Sequence, residues 1–146
     1  MKLKGGYILV EVIVVICLAS TIYFTTRYMI NKIYVNEAYK QKIKIISIID
    51  YVQKKAVYDN RDYEIIFNLE SKEIYYLDKV VKLDDRFTYI TKNISNNFKR
   101  KVNKQGNFDK GFTIEIIKKD KIYSKISVNT SNGLNIPLIK DRIWKS

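Results

Sequence analysis

The chain has 146 residues and a net charge of +12, from 27 Lys and Arg against 15 Asp and Glu, with no His and one Cys. Its length suits one domain plus a further element rather than two globular domains, and an apolar fraction of 47% excludes global disorder. Without His the usual general base, proton shuttle and metal ligand are missing, and the lone Cys17 excludes both an intramolecular disulfide and a Cys/His zinc site.

Residues 1–6 read Met-Lys-Leu-Lys-Gly-Gly, and an apolar run follows from Tyr7 to Phe24, extended by Thr25 and Thr26. A helix over residues 7–26 rises about 30 Å, the hydrocarbon thickness of a bilayer. Ile8, Val10, Val12, Ile13, Val14 and Val15 are β-branched and disfavour a helix in water. In lipid the backbone must satisfy its own hydrogen bonds, so the helix prevails there. Glu11 is the exception, because a carboxylate inside a span costs about 2.5–3.5 kcal/mol and marks a functional partner. It lies one turn inside the run, so it is either an interfacial carboxylate eased by the helix dipole or half of a charge pair with a neighbouring subunit.

Three other readings of this segment are available. A secretory signal ending at Cys17-Leu18-Ala19 is weakened by Glu11 in its apolar region and by the helix pattern continuing past Ser20. Lipidation of Cys17 is disfavoured by the bulky Ile16 before it. A plain single-pass anchor stays open, with Lys2, Lys4, Arg27 and Lys32 flanking both ends and leaving its orientation undecided.

The run Lys4-Gly5-Gly6-Tyr7-Ile8-Leu9-Val10-Glu11 resembles the class III signal of type IV prepilins. The resemblance implies cleavage between Gly6 and Tyr7 by a prepilin peptidase, with Lys4 and Gly5 in the recognised leader and N-methylation of Tyr7. Glu11 then falls at the fifth mature position, where the family places a Glu that meets the terminal amine of a neighbouring subunit during assembly. A charge pair formed in a low-dielectric bundle offsets part of the carboxylate's desolvation. The sequence departs from the family in having Tyr7 where Phe is usual and Ile8 where Thr or Ser is frequent.

Residues 27–58 continue as an amphipathic helix, with Tyr34, Ala38, Ile45, Ile49, Val52 and Ala56 at helical spacing and Gln41 interrupting. Lys40, Lys42, Lys44, Asp50, Lys54 and Lys55 are assigned to the other faces. No Pro or Gly falls between Tyr7 and Asp59, so one helix of about 50 residues is expected, ending at the turn Asp59-Asn60. From Tyr63 the period becomes two: Tyr63 to Leu69, a turn at Glu70-Ser71-Lys72-Glu73, then Ile74 to Leu77. Further strands are expected at Phe87 to Thr91, Phe112 to Ile117 and Ile122 to Val128, the last two joined by Lys118-Lys119-Asp120-Lys121. Asn132-Gly133 signals a turn before an edge strand from Leu134 to Ile139, where Pro137 removes a donor.

The expected fold is therefore α+β and pilin-like, a long N-terminal helix on an antiparallel sheet. Its expected parts are a leader (1–6), a membrane or filament-core helix (7–26), an amphipathic continuation (27–58) and a sheet region (59–146). Within pilin-like proteins the chain is similar to GspH/FimT-like minor pseudopilins, including competence pseudopilins of Gram-positive bacteria. Val52 to Phe67, Gly111-Phe112-Thr113-Ile114 and Ile122 to Gly133 carry that similarity.

Lys99-Arg100-Lys101 with Lys104 is the densest basic cluster, and Lys118, Lys119, Lys121 and Lys125 form a second. Nine basic against three acidic residues between Phe98 and Lys125 read first as a solvated surface or one drawn to anionic lipid and wall polymers, with phosphate contacts to DNA as the alternative. Lys140, Arg142, Trp144 and Lys145 make a basic tail whose Trp either stacks on bases or anchors the tail. Asp59 with Asp62, and Asp84-Asp85, fit no calcium loop and read better as turn caps. No nucleophile–base pair and no phosphate-binding Gly loop is present, so neither catalysis nor a cofactor or metal is expected.

The expected role is a minor pilin or pseudopilin of a type IV pilus-like filament serving DNA uptake and competence, secretion or adhesion. Its implied partners are other pilin subunits, the prepilin peptidase, the inner or cytoplasmic membrane and, on the basic surface, DNA. The C-terminal region would lie outside the membrane, and on the filament or cell surface after assembly. The alternative is a membrane-tethered module that binds DNA or envelope polymers and enters no filament.

Overall fold

The computed structural model describes residues 4–92 and 94–130. One helix, α1 (Lys4–Asp59), precedes seven strands: β1 (Tyr63–Asn68), β2 (Glu73–Tyr76), β3 (Lys79–Lys82), β4 (Thr88–Thr91), β5 (Asn97–Val102), β6 (Phe112–Lys118) and β7 (Lys121–Val128). The chain is α+β, with a long N-terminal helix and antiparallel sheets. Its contacts divide it into two units, one up to Asn36 and one from Glu37 onward.

In the first unit the side chains from Ile8 to Ile33 are exposed all round the helix. In the second unit one face of α1 is buried. Ala38, Ile45, Ile49, Val52 and Ala56, all expected at the packing face, are fully buried and are joined by Ile48. Lys42, expected on an outer face, is instead only 3% exposed. It lies one turn before Ile45 and Ile46, so the buried face is wider than its apolar positions alone suggest.

The helix ends where the turn signal was expected. Asn60 takes φ 50°, its N–H donates to Val57 O (3.3 Å), and Arg61 N–H donates to Ala56 O (3.2 Å). That is a Schellman cap with Asn in the left-handed position where Gly is commonest. The Asp59 carboxylate accepts from Lys55 Nζ and from the Tyr63 hydroxyl, tying the helix end to the start of β1.

Two antiparallel sheets cover the buried face, one in the order β3-β2-β1-β5 and one in the order β4-β6-β7. Ile65, Phe67, Ile74, Phe98 and Val102 face the core from the first sheet, and Phe112, Ile114, Ile116, Ile126, Val128 and Tyr89 from the second. Burying each Ile, Val or Phe contributes about 1.5–3 kcal/mol relative to exposure. The sheets meet through aromatics: Phe67 stacks on Phe98 with centroids 4.8 Å apart, and Phe112 lies 5.2 Å from Phe67 and 5.4 Å from Phe98.

Five expected strands are present as β1, β2, β4, β6 and β7. Two strands were not expected. β3 holds only two apolar residues between lysines, and β5 hides its alternation behind Lys99-Arg100-Lys101. The β2–β3 and β6–β7 hairpins turn on two non-glycine residues each, Leu77 and Asp78 (φ 44° and 60°) and Lys119 and Asp120 (φ 47° and 60°). Positive φ at both central residues is what a two-residue hairpin turn demands. The Asn132-Gly133 turn, the strand from Leu134 to Ile139 and the basic tail lie outside the described residues.

Ion pairs fasten the loops to the helix. Arg86 Nη2 bridges Asp84 (2.6 Å) and Glu37 (3.0 Å), Gln41 Oε1 accepts from Asp84 N–H (3.2 Å), and Gln53 Nε2 donates to Gly106 O (2.7 Å). Gly106 takes φ 82° and packs where a Cβ would meet Val57 Cγ2 at 3.1 Å. The carboxyl of Glu37 is held below its ordinary value by the Lys40 hydrogen bond, that of Asp84 by Arg86, that of Asp59 by the Tyr63 hydroxyl and Lys55, and that of Asp62 by Lys101 and the Lys104 N–H.

A depressed folded-state pKa stabilises the fold above the unfolded value of about 4 and loses that stabilisation as pH falls through the folded value. Thermal melts of the chain in detergent should therefore hold their midpoint near neutrality and fall progressively between about pH 5 and pH 2. The pairs are mostly exposed, so added salt should shrink that drop. A midpoint unchanged across that range would show that these pairs do not support the fold.

Candidate functional site

The first unit carries the motif residues. Gly5, Gly6 and Tyr7 fall within the opening turns of α1, which starts at Lys4 rather than at Tyr7. The following surface is apolar on every side, with Ile8 62% and Phe24 69% exposed. The helix is long and apolar enough to cross a membrane. Its few hydroxyls turn back on the backbone: Ser20 Oγ donates to Ile16 O (2.7 Å), Thr21 Oγ1 to Cys17 O (2.8 Å) and Thr25 Oγ1 to Thr21 O (2.8 Å). Such bonds satisfy polar atoms without water, as an apolar surrounding requires. Arg27 closes the segment, with Nε donating to the Tyr23 hydroxyl (3.2 Å) and the guanidinium 5.7 Å from that ring.

Glu11 is exposed and has no hydrogen-bond or ion-pair partner among the described residues. A carboxylate on a surface otherwise free of charge from Ile8 to Thr26 needs a cation from outside that surface once water is removed.

The second candidate, the basic cluster, is reorganised by the fold. Lys99, Arg100 and Lys101 lie on β5, so their side chains alternate between the faces of the sheet. Lys99 and Lys101 point outward and meet Glu64 (3.6 Å) and Asp62 (2.8 Å). Arg100 points inward between Phe98 and Val102 and is only 8% exposed. Its guanidinium carbon lies 5.0 Å from the Phe98 centroid and 5.8 Å from that of Phe112, and Nη1 donates to Lys99 O (2.9 Å). Its Nε is buried without a hydrogen-bond partner. The exposed Lys104 donates its backbone N–H to Asp62 Oδ1 (2.9 Å).

The cluster is thus two outward lysines beside carboxylates and one inward arginine, rather than one continuous cationic face. In the second cluster Lys125 lies 3.7 Å from Glu115, which also meets Lys92 at 3.2 Å and is almost fully buried. Lys119 and Lys121 are exposed at the β6–β7 turn.

The acidic pairs act as local ties. Asp59 and Asp62 pair with Lys55 and Lys101, Asp84 with Arg86, and Asp85 lies 3.9 Å from both Lys72 and Lys82. Among the described residues no group of three or more His, Cys, Asp or Glu side chains is placed to hold a metal ion. One feature was not read from the sequence: the Glu37–Arg86–Asp84 clamp, whose Glu37 lies 49 residues before Arg86. No protein-family model, curated protein or solved structure matches this chain.

The placement of Arg100 carries a test. Replacing it with Met keeps the volume between Phe98 and Phe112 and removes the orphaned Nε, so stability should be unchanged or rise by about 1 kcal/mol. Arg100→Ala removes the same charge but leaves a void, and should lower the melting midpoint clearly. A large loss of stability in Arg100→Met would show that the guanidinium itself is needed.

Proposed function

We propose that the chain is a structural subunit, a minor pilin or pseudopilin, of a type IV pilus-like filament. One observation carries the reading: the Gly6–Tyr7 junction, with Glu11 at the fifth position beyond it, opens an apolar helix whose side chains are exposed on every side. A prepilin peptidase removes residues 1–6 and methylates the Tyr7 amine. The helix then leaves the cytoplasmic membrane for a bundle of like helices, where Glu11 takes a neighbour's terminal amine as the cation it lacks among the described residues. A helix that runs on to pack under antiparallel sheets supports the same reading. Competence, secretion and adhesion filaments all use such subunits, and the motif serves each of them.

The mature N-terminus is the direct measurement. Mass spectrometry of the chain from cells that hold a prepilin peptidase should find N-methylated Tyr7, whereas an intact Met1 would favour a tethered binding module. Replacing Gly6 by a bulky residue should leave the precursor uncleaved, and normal processing of that variant would sink the leader assignment. Glu11→Ala should be processed normally but be lost from sheared filament fractions. Its undiminished incorporation would remove the proposed role of the carboxylate.

A further inference from the structure

The segment of α1 just beyond its apolar span carries a cleft that the Gly6–Glu11 register does not use. Met29, Lys32, Ile33 and Asn36, on one side of the helix, line an open cleft of about 290 Å³. Met29 is 66% and Ile33 55% exposed. Lys32 and Asn36 have no hydrogen-bond or ion-pair partner among the described residues. The sequence offers Lys32 no counter-charge nearby, because no Asp or Glu lies between Glu11 and Glu37, and Glu37 is held by Lys40 and Arg86. The residues three and four positions from Lys32 are Tyr28, Met29, Val35 and Asn36, all uncharged.

Depth decides what fills the cleft. With Tyr7 to Thr26 in hydrocarbon, Met29 lies about 4.5 Å and Lys32 about 9 Å beyond the boundary along the helix. The headgroup layer is about 5–7 Å deep on each side of the hydrocarbon. Helical side chains lean toward the N-terminus, so the long lysine stem returns its ammonium into that layer. Arg27 leans the same way, its guanidinium reaching back to the Tyr23 ring at 5.7 Å. In the headgroup layer Met29 and Ile33 meet glycerol and the first acyl carbons, while the Lys32 ammonium meets the phosphate. Asn36, one turn further out, meets the polar head beyond it. A zwitterionic lipid would bring its own cation beside Lys32, whereas an anionic lipid brings none.

We propose that this cleft holds the headgroup of an anionic phospholipid, with Lys32 Nζ donating to its phosphate and the Asn36 amide to its polar head. The proposal rests on α1 crossing a membrane and is independent of filament assembly.

The test places the full chain in phosphatidylcholine vesicles that carry a trace of spin-labelled phosphatidylglycerol or of spin-labelled phosphatidylcholine. It reads the fraction of each label immobilised at the protein. The chain should hold phosphatidylglycerol about fivefold in preference, the factor expected of one lysine at this level. Lys32→Gln should remove most of that preference, and Lys32→Arg should keep it. Lys32 is exposed, and immobilisation of the phosphatidylcholine label verifies that each variant still enters the bilayer. Three results would each overturn the proposal. They are equal immobilisation of both labels by the native chain, a preference unchanged in Lys32→Gln, and a greater loss in Arg27→Gln or in the double variant Lys2→Gln, Lys4→Gln. The last would put the lipid elsewhere along the span. An absence of any immobilised fraction, for either label, would refute the crossing helix itself and the proposal with it.

Discussion

Everything in the second unit depends on burying one face of α1 between Ala38 and Ala56. The chain has a single Cys, so no disulfide can close its loops, and packing must do what a covalent link does in many small exported domains. The helix meets that demand with three fully buried branched side chains, Ile45, Ile49 and Val52, in adjacent turns. Each sheet is curtained from solvent on the side where it meets this face. Phe67, Phe98 and Phe112 then lock the two sheets to each other rather than leaving each to pair with the helix alone.

That dependence explains what could be read from the chain and what could not. The helix was legible because no Gly or Pro interrupts it and its packing face repeats at helical spacing. β1, β6 and β7 were legible because branched and aromatic residues recur along them between clear turns. β5 was not, because period-two alternation is recognised by polarity and Arg100 sits at an inward position. A guanidinium is flat and stacks on aromatic rings, so it packs there as a hydrophobic side chain would, at the cost of one unsatisfied Nε. Lys42 misled for the same reason: a long aliphatic stem lets a lysine lie on the packing face. The candidate site divides likewise. The Gly6–Glu11 register is local and readable, whereas the opposing faces of Lys99 and Arg100 follow from a strand that the pattern hid.

The charge of the chain acquires a different meaning once the partners are in place. A surplus of +12 suggests a cationic surface, yet in the second unit many lysines and arginines are matched locally: Lys54 with Asp50, Lys55 with Asp59, Lys101 with Asp62 and Arg86 with both Asp84 and Glu37. Each exposed pair is worth little alone, about 0–1 kcal/mol, and its main effect is to fix where a loop rests. Arg86 illustrates this, because its two carboxylates come from α1 and from its own loop and so hold the β3–β4 connection against the helix. Polyanion binding by this unit would compete with those internal carboxylates, which makes net charge a poor guide to it.

The two parts of α1 pose opposite physical problems. From Glu37 to Asp59 the helix has one face that water must leave, and the sheets of the same chain remove it. From Ile8 to Thr26 it has no polar face, and nothing described in its own unit covers it. A helix apolar all round is stable only in lipid or inside a bundle of others. Lipid satisfies the aliphatic side chains but not Glu11, whose charge in hydrocarbon costs about 2.5–3.5 kcal/mol. A bundle satisfies both, provided that a neighbour brings a cation to the level of Glu11. In the bundle proposed above, a neighbour's cation would offset the expense of holding this carboxylate in lipid, and the charge would bias the helix toward that bundle.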